Sequence, residues 1–144
     1  MKDYFRFLII AVLTAFFAWS CTNSEPIKIV FVGGLTGKGS ALGIEGRNGA
    51  SLAVTLINEN GGINGRKVQL ITKDDKQNSG KAREVVQELL DEGVSAVIGH
   101  MTSTMSIAGS EKTNQNKVVM ISPTTSTSEL SGIDDYFFRV YPAC

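Results

Sequence analysis

The stretch Gly49–Asp75, GASLAVTLINENGGINGRKVQLITKDD, decides the fold. Ala50, Ala53, Val54 and Ile57 recur at helical spacing and give the segment one apolar face. Asn58, Glu59 and Asn60 then run into Gly61-Gly62, where glycine reaches the positive φ that ends a helix at little cost. Asn64-Gly65 is a second tight turn, and Lys67 to Lys73 alternates polar and apolar residues as a half-buried strand does. The strand empties into Asp74-Asp75, where a loop begins. Helix, glycine corner, strand and acidic loop follow one another without a gap.

The same alternation continues on both sides. Ile27 to Val32 is apolar apart from Lys28 and reads as a buried parallel strand, followed by a glycine-rich loop over Gly33–Gly46. Asn78 or Ser79 caps a second helix, whose Ala82, Val85, Val86, Leu89 and Leu90 form an amphipathic stripe. Glu92-Gly93 ends it, and Val94–Gly99 is a short buried strand. Ser103–Asn116 is a weaker helix with a polar surface, Val118–Ser122 a fourth strand, and Tyr136–Val140 the start of another. Strands alternating with helices define an α/β fold with a parallel sheet.

The 144 residues suit one domain on the usual scale of about 100–200 residues. Fourteen basic residues balance fourteen acidic ones, which argues against a nucleic-acid partner and its basic patch. Lys2 and Arg6 precede the uncharged apolar run Phe7–Trp19, too short for a bilayer that needs about 20 residues, so residues 1–20 read as a signal peptide. Ala18-Trp19-Ser20-Cys21 then gives way to the polar Thr22–Pro26. That boundary resembles a bacterial lipoprotein processing site, with Cys21 as the acylated first residue and residues 21–26 as a tether. Plain secretory cleavage beside an incidental cysteine is the other reading. Cys21 and the terminal Cys144 do not make a disulfide framework.

Four segments carry a family resemblance: Gly49–Asp75, VGGLTGKGSALG (Val32–Gly43), AVIGHMTST (Ala96–Thr104) and VVMISPTTSTSEL (Val118–Leu130). In this order and spacing they resemble the periplasmic amino-acid-binding proteins of the branched-chain (Leu/Ile/Val) type, which deliver solute to an ABC importer. The resemblance covers nearly everything from Ile27 to Pro142. It implies a three-layer α/β fold, a parallel sheet with helices on both faces, in which residues 27–144 form an incomplete first lobe. Family members are much longer, and Pro142-Ala143-Cys144 falls about where their chain crosses to the second lobe. It also implies a small amino-acid ligand, permease subunits as partners, no cofactor, and an extracytoplasmic location, here with a lipid anchor in a bacterial membrane.

Ligands of open parallel sheets sit beyond the carboxyl ends of the strands. Three loops belong there: Gly33–Gly46, Gly99–Ser106 and Ser122–Ser128. All are rich in glycine or hydroxyls and poor in charge, which suits a zwitterion held by backbone groups and hydroxyls rather than acid–base chemistry. Ser103 stands where the third strand hands over to the third helix, so its hydroxyl and N–H can face a carboxylate at a positive helix end. The resemblance gives Ser103 the ligand's α-carboxylate, with Thr102 beside it; an ordinary N-cap would account for the same serine. The resemblance also assigns Ser126 a hydroxyl and N–H toward the ligand, and Thr124 a backbone carbonyl toward the α-ammonium. A hydroxyl-rich turn after Pro123 would look the same. Leu42 falls where some members place an aromatic over the ligand side chain.

Other motifs fail on spacing. Gly37-Lys38-Gly39 would need a glycine at Val32 and Ser or Thr after the lysine to be a phosphate loop, and a dinucleotide fingerprint would need glycine at Leu42. Asp74-Asp75 has no second acidic or histidine cluster for a metal and reads as loop and helix-terminus hydrogen bonding. His100 is the single histidine and reads as structural. Neither cysteine has a base beside it, so the chain is read as no enzyme. Two alternatives stand beside the transport reading: an extracellular sensor domain of a receptor, and a doubly wound α/β enzyme domain.

Overall fold

A computed structural model describes residues 25–144; the signal-peptide and lipidation expectations, including Cys21, lie outside the described residues. The elements run β1 (Ile27–Gly33), α1 (Ser40–Glu59), β2 (Val68–Asp74), α2 (Ser79–Asp91), β3 (Ala96–Ile98), α3 (Ser103–Gln115), β4 (Val119–Ser122), a 3-10 turn (Ser128–Leu130) and β5 (Phe137–Arg139). All strand pairs are parallel and the sheet order is β2-β1-β3-β4-β5. The chain moves outward from β1 to β2, then crosses back to β3 on the other side of β1. That reversal opens the crevice between the carboxyl ends of β1 and β3 where such sheets bind ligands.

Register explains the core. Ile71, Val30, Val97, Met120 and Phe137 pair in one row across all five strands. Four of them are buried, and Ile71 packs against them. Val85 and Leu89 of α2 join the same cluster, so the amphipathic stripe of α2 lies on this face. Phe31 points the other way, where its ring and Met101 stand against Gly46 of α1. Right-handed crossovers produce this split: α1 covers one face, α2 and α3 the other. The expected helix–sheet–helix layering is therefore present.

Two elements differ from the sequence reading. Helix α1 begins at Ser40, inside the expected loop, after Gly39 in the left-handed region with no side-chain cap. Gly43 and Gly46 look like loop residues but are there for close approach: a methyl on Gly43 would overlap the Gly34 carbonyl, and one on Gly46 would meet Met101 and Phe31. The expected apolar face of α1 is only partly covered, with Ala53 exposed and Leu52 and Leu56 turned outward. Helix α3 differs in the opposite sense. Its polar residues are partly its buried face, since Ser106, Ser110 and Thr113 are buried beside Met105, Ala108 and Gly109. Ser110 and Thr113 donate to the carbonyls of Ile107 and Ser110, so small hydroxyls enter the interior satisfied.

The Gly61-Gly62 corner forms as read, with φ of 93° and 79°. Asn64 and Gly65 also take positive φ, between a bridge joining Ile63 and Arg66. Asn78 caps α2, its side chain accepting from the Lys81 N–H at 2.9 Å.

Candidate functional site

Parallel strands put the three expected loops at one end of the sheet. The loops after β3 and β4 meet directly. The N-cap of α3 is Thr102, extended and without a side-chain cap bond, so Ser103 is the first helical residue and not the cap. The Ser103 hydroxyl instead reaches across to the β4 loop and accepts from the N–H groups of Ser126 (3.3 Å) and Thr127 (3.2 Å). A hydroxyl has two acceptor sites and one hydrogen. With both acceptor sites used, the Ser103 O–H remains available to donate. The first intrahelical bond of α3 runs from the Ser106 N–H to the Thr102 carbonyl at 2.9 Å. The N–H groups ahead of it are the unpaired positive end of the helix.

Thr124 donates its hydroxyl to the Met101 carbonyl at 2.5 Å, a second tie between the loops. Among the described residues no hydrogen bond is made to the Thr124 carbonyl, the group expected to receive an ammonium. Ser126 lends its N–H to Ser103, and its carbonyl accepts from the N–H of Cys144 at 2.9 Å. Arg139 of β5 braces the same loop by donating to the Thr127 carbonyl and the Ser131 hydroxyl. Ser103, Thr124 and Ser126 thus come together. Thr102 adjoins them by sequence, half-buried, while Leu42 stands apart on the first turn of α1, 44% exposed.

The glycine-rich loop is held from β2. Asp74 Oδ1 accepts from the N–H groups of Leu35 and Lys76, both at 2.8 Å, and Oδ2 accepts from the Thr36 hydroxyl at 2.6 Å. Burial pushes this carboxyl up, but the Thr36 hydroxyl and the two N–H groups outweigh it and hold Asp74 below its ordinary value. Gln77 adds a bond from its amide to the Lys38 carbonyl at 2.9 Å. Asp75 turns inward, accepting from the Gln77 N–H at 2.8 Å and pairing with His100 Nδ1 at 2.7 Å, both residues fully enclosed. His100 lies flush against Gly109 of α3, its Nε2 without a hydrogen-bond partner. Both aspartates serve loop geometry, and no metal-holding cluster of His, Cys, Asp or Glu occurs among the described residues.

Sequence reasoning passed over Ser106, Ser122 and Thr125. All three are fully buried beneath the loops and hydrogen-bonded to one another or to the His100 carbonyl. The available signal was weak: Ser106, Ser110 and Thr113 lie at i, i+4 and i+7 on α3, one helical face made of hydroxyls.

The sheet is thus doubly wound, with a hydroxyl-lined floor at the N-terminus of α3. The family model described as periplasmic binding protein matches residues 26–143, and the chain belongs to that family. It is 32% identical to the Leu/Ile/Val-binding protein of Escherichia coli K12 over 108 residues, 75% of this chain and 29% of the relative. It is 33% identical over 121 residues to the Leu/Ile/Val-binding protein BraC3 of Rhizobium johnstonii, 84% of this chain and 33% of the relative. The chain thus spans about a third of the length of these curated relatives. Among solved structures it is similar to the branched-chain amino acid transporter substrate-binding protein LivJ of Streptococcus pneumoniae in complex with isoleucine. That match has a TM-score of 0.79 at 33% identity and covers 83% of this chain and 34% of the other. The leucine complex of an ABC transporter substrate-binding protein from Desulfitobacterium hafniense gives a TM-score of 0.72 at 33% identity, over 83% and 35% of the two chains.

Proposed function

We propose that this chain is the first ligand-binding lobe of the extracytoplasmic solute receptor of an ABC importer, and that it takes an amino acid of the branched-chain type. One observation carries the reading: the Ser103 hydroxyl, its acceptor sites filled by Ser126 and Thr127, has its hydrogen free beside the uncapped N-terminus of α3. A carboxylate gains there from a charge-assisted donor and from the helix dipole together. The unbonded Thr124 carbonyl supplies the complementary acceptor for an ammonium, and the leucine and isoleucine complexes of similar proteins support the same ligand class. Thr102 lies beside this head-group floor, and Leu42 is assigned to the ligand side chain. The role is binding rather than catalysis.

Residues 27–144 are the lobe, residues 1–20 the export signal and residues 21–26 the tether, with Cys21 acylated and anchoring the protein to a bacterial membrane facing its permease. Two or three acyl chains hold firmly where one holds only marginally. Mass spectrometry of the mature N-terminus reports this directly; an unmodified start near Cys21 means ordinary secretion. For the ligand, calorimetric titration of the full-length protein with leucine, isoleucine, amides and urea should give saturable heat with at least one branched-chain amino acid. Silence with the whole panel would overturn the reading.

A further inference from the structure

Beneath the head-group floor lies a closed ring of four oxygens with no exposure to solvent. The Ser122 hydroxyl stands 2.6 Å from the His100 carbonyl and 2.7 Å from the Thr125 hydroxyl; the Ser106 hydroxyl stands 2.5 Å from Thr125 and 3.2 Å from the same carbonyl. The Thr125 N–H also donates to Ser122 at 3.1 Å. Three hydroxyl hydrogens serve four contacts, so the members share their protons and no one of them is satisfied independently of the others. The ring draws one member from the β3 loop, one from α3, one from the end of β4 and one from the β4 loop.

Its position relates it to the floor above. Ser106 is three residues beyond Ser103, on the same face of α3, and Thr125 lies between Thr124 and Ser126. The bonds at floor level, from Ser126 and Thr127 to Ser103, are long and only part-buried. Those in the ring are mostly short and enclosed, where a hydrogen bond is electrostatically stronger. The stronger layer sets the spacing of the two loops, and the weaker one inherits it.

We propose that Ser106, Ser122 and Thr125 are positioning residues: they touch no ligand, and they fix the gap between the Ser103 and Ser126 loops to the width of the ligand head group. This rests on the proposed amino-acid reading for its ligand, but not for its mechanical content. Thr113 provides the comparison. It is as buried as Thr125 and its hydroxyl is bonded within α3 at 3.1 Å, but it lies outside the ring.

In the full chain, Thr125→Val should speed amide hydrogen exchange at Ser126 and Thr127 and weaken leucine or isoleucine binding, each by about tenfold or more. Thr125→Ser, which keeps the hydroxyl, should restore both. Thr113→Val should lower the unfolding midpoint without moving either readout. Should Thr125→Val fail to fold, Ser106→Ala against Ser110→Ala repeats the comparison with a smaller deletion. If the ring variant and its control change exchange at Ser126 and Thr127 equally, the ring is ordinary core and the inference is overturned. If the parent binds none of these amino acids, the ligand reading fails by itself, and the exchange comparison still decides the ring.

Discussion

Replacing Gly43 with alanine tests how α1 is seated on the glycine-rich loop. Gly43 is the one buried residue of α1. A methyl there would lie 2.8 Å from the carbonyl carbon of Gly34 and 3.2 Å from its nitrogen, and would overlap the carbonyl oxygen. Non-bonded heavy atoms settle at about 3.5 Å and the carbonyl oxygen is the nearest obstacle, so helix or loop must withdraw by about 1 Å or more, and that obstacle is backbone with no rotamer to escape into. Overpacking of this kind costs about 1–3 kcal/mol, against a helix-propensity gain of at most about 1 kcal/mol. The net expectation is a loss of about 1–2 kcal/mol. Gly49, two turns along the same helix, has nothing within 4 Å of a built methyl. Gly49→Ala should therefore keep the gain alone, up to about 1 kcal/mol. Urea unfolding followed by far-ultraviolet circular dichroism compares them; with a slope of about 1–3 kcal/mol per molar, the midpoints should separate by about 1 M. If Gly43→Ala unfolds at or above the midpoint of Gly49→Ala, the close seat of α1 on Gly34 is wrong.

Three further outcomes follow from particular side chains. Ser103→Ala should weaken amino-acid binding by about 1.5–3 kcal/mol, the range for a hydrogen bond to a charged group, or roughly ten- to a hundred-fold by calorimetry; unchanged affinity would remove Ser103 from the site. Asp74 titrates below its ordinary value when folded, so its contribution is complete above the unfolded value and disappears as the pH falls through the folded one. The urea-midpoint gap between parent and Asp74→Asn should accordingly be widest near neutrality and close under acid, and a gap that widens on acidification would contradict the assignment. Ile121 and Phe138 pair in register and are 38% and 54% exposed on the sheet face away from Met120 and Phe137. Phe138→Ser should reduce light scattering in concentrated samples, since it breaks an exposed apolar patch; equal or greater scattering would count against that face as the sticky one.

The order of strands and helices was legible because it is written in short-range periods. Val85, Val86 and Leu89 declare a buried helix face, and the Gly61-Gly62 corner declares its predecessor's end. Glycine misled at Gly43 and Gly46, where a low-propensity residue sits inside a helix because two backbones or a backbone and Phe31 approach too closely for a side chain. Polarity misled on α3, where hydroxyls that bond to the preceding turn are as much at home inside as alanine. The site divides in the same way. Its loops follow from a parallel sheet, and Ser103, Thr124 and Ser126 follow from the family resemblance. The ring of Ser106, Ser122, Thr125 and the His100 carbonyl joins residues up to 22 positions apart through hydrogen bonds, and no periodic pattern encodes that closure. The same holds for the Asp75–His100 pair, 25 positions apart.

The three loops at the mouth are fastened to one another through buried bonds. Those after β3 and β4 are bonded to each other, and the glycine-rich loop, held by Asp74 at the end of β2 and by Gln77, joins them through the buried Asp75–His100 pair. A displacement of the glycine-rich loop thus has a direct route into the ring, since His100 gives its ring nitrogen to Asp75 and its carbonyl to Ser106 and Ser122. On the proposed assignment of Leu42 to the ligand side chain, a redesign of α1 has to leave Asp75 and His100 in place for the spacing at Ser103 to survive.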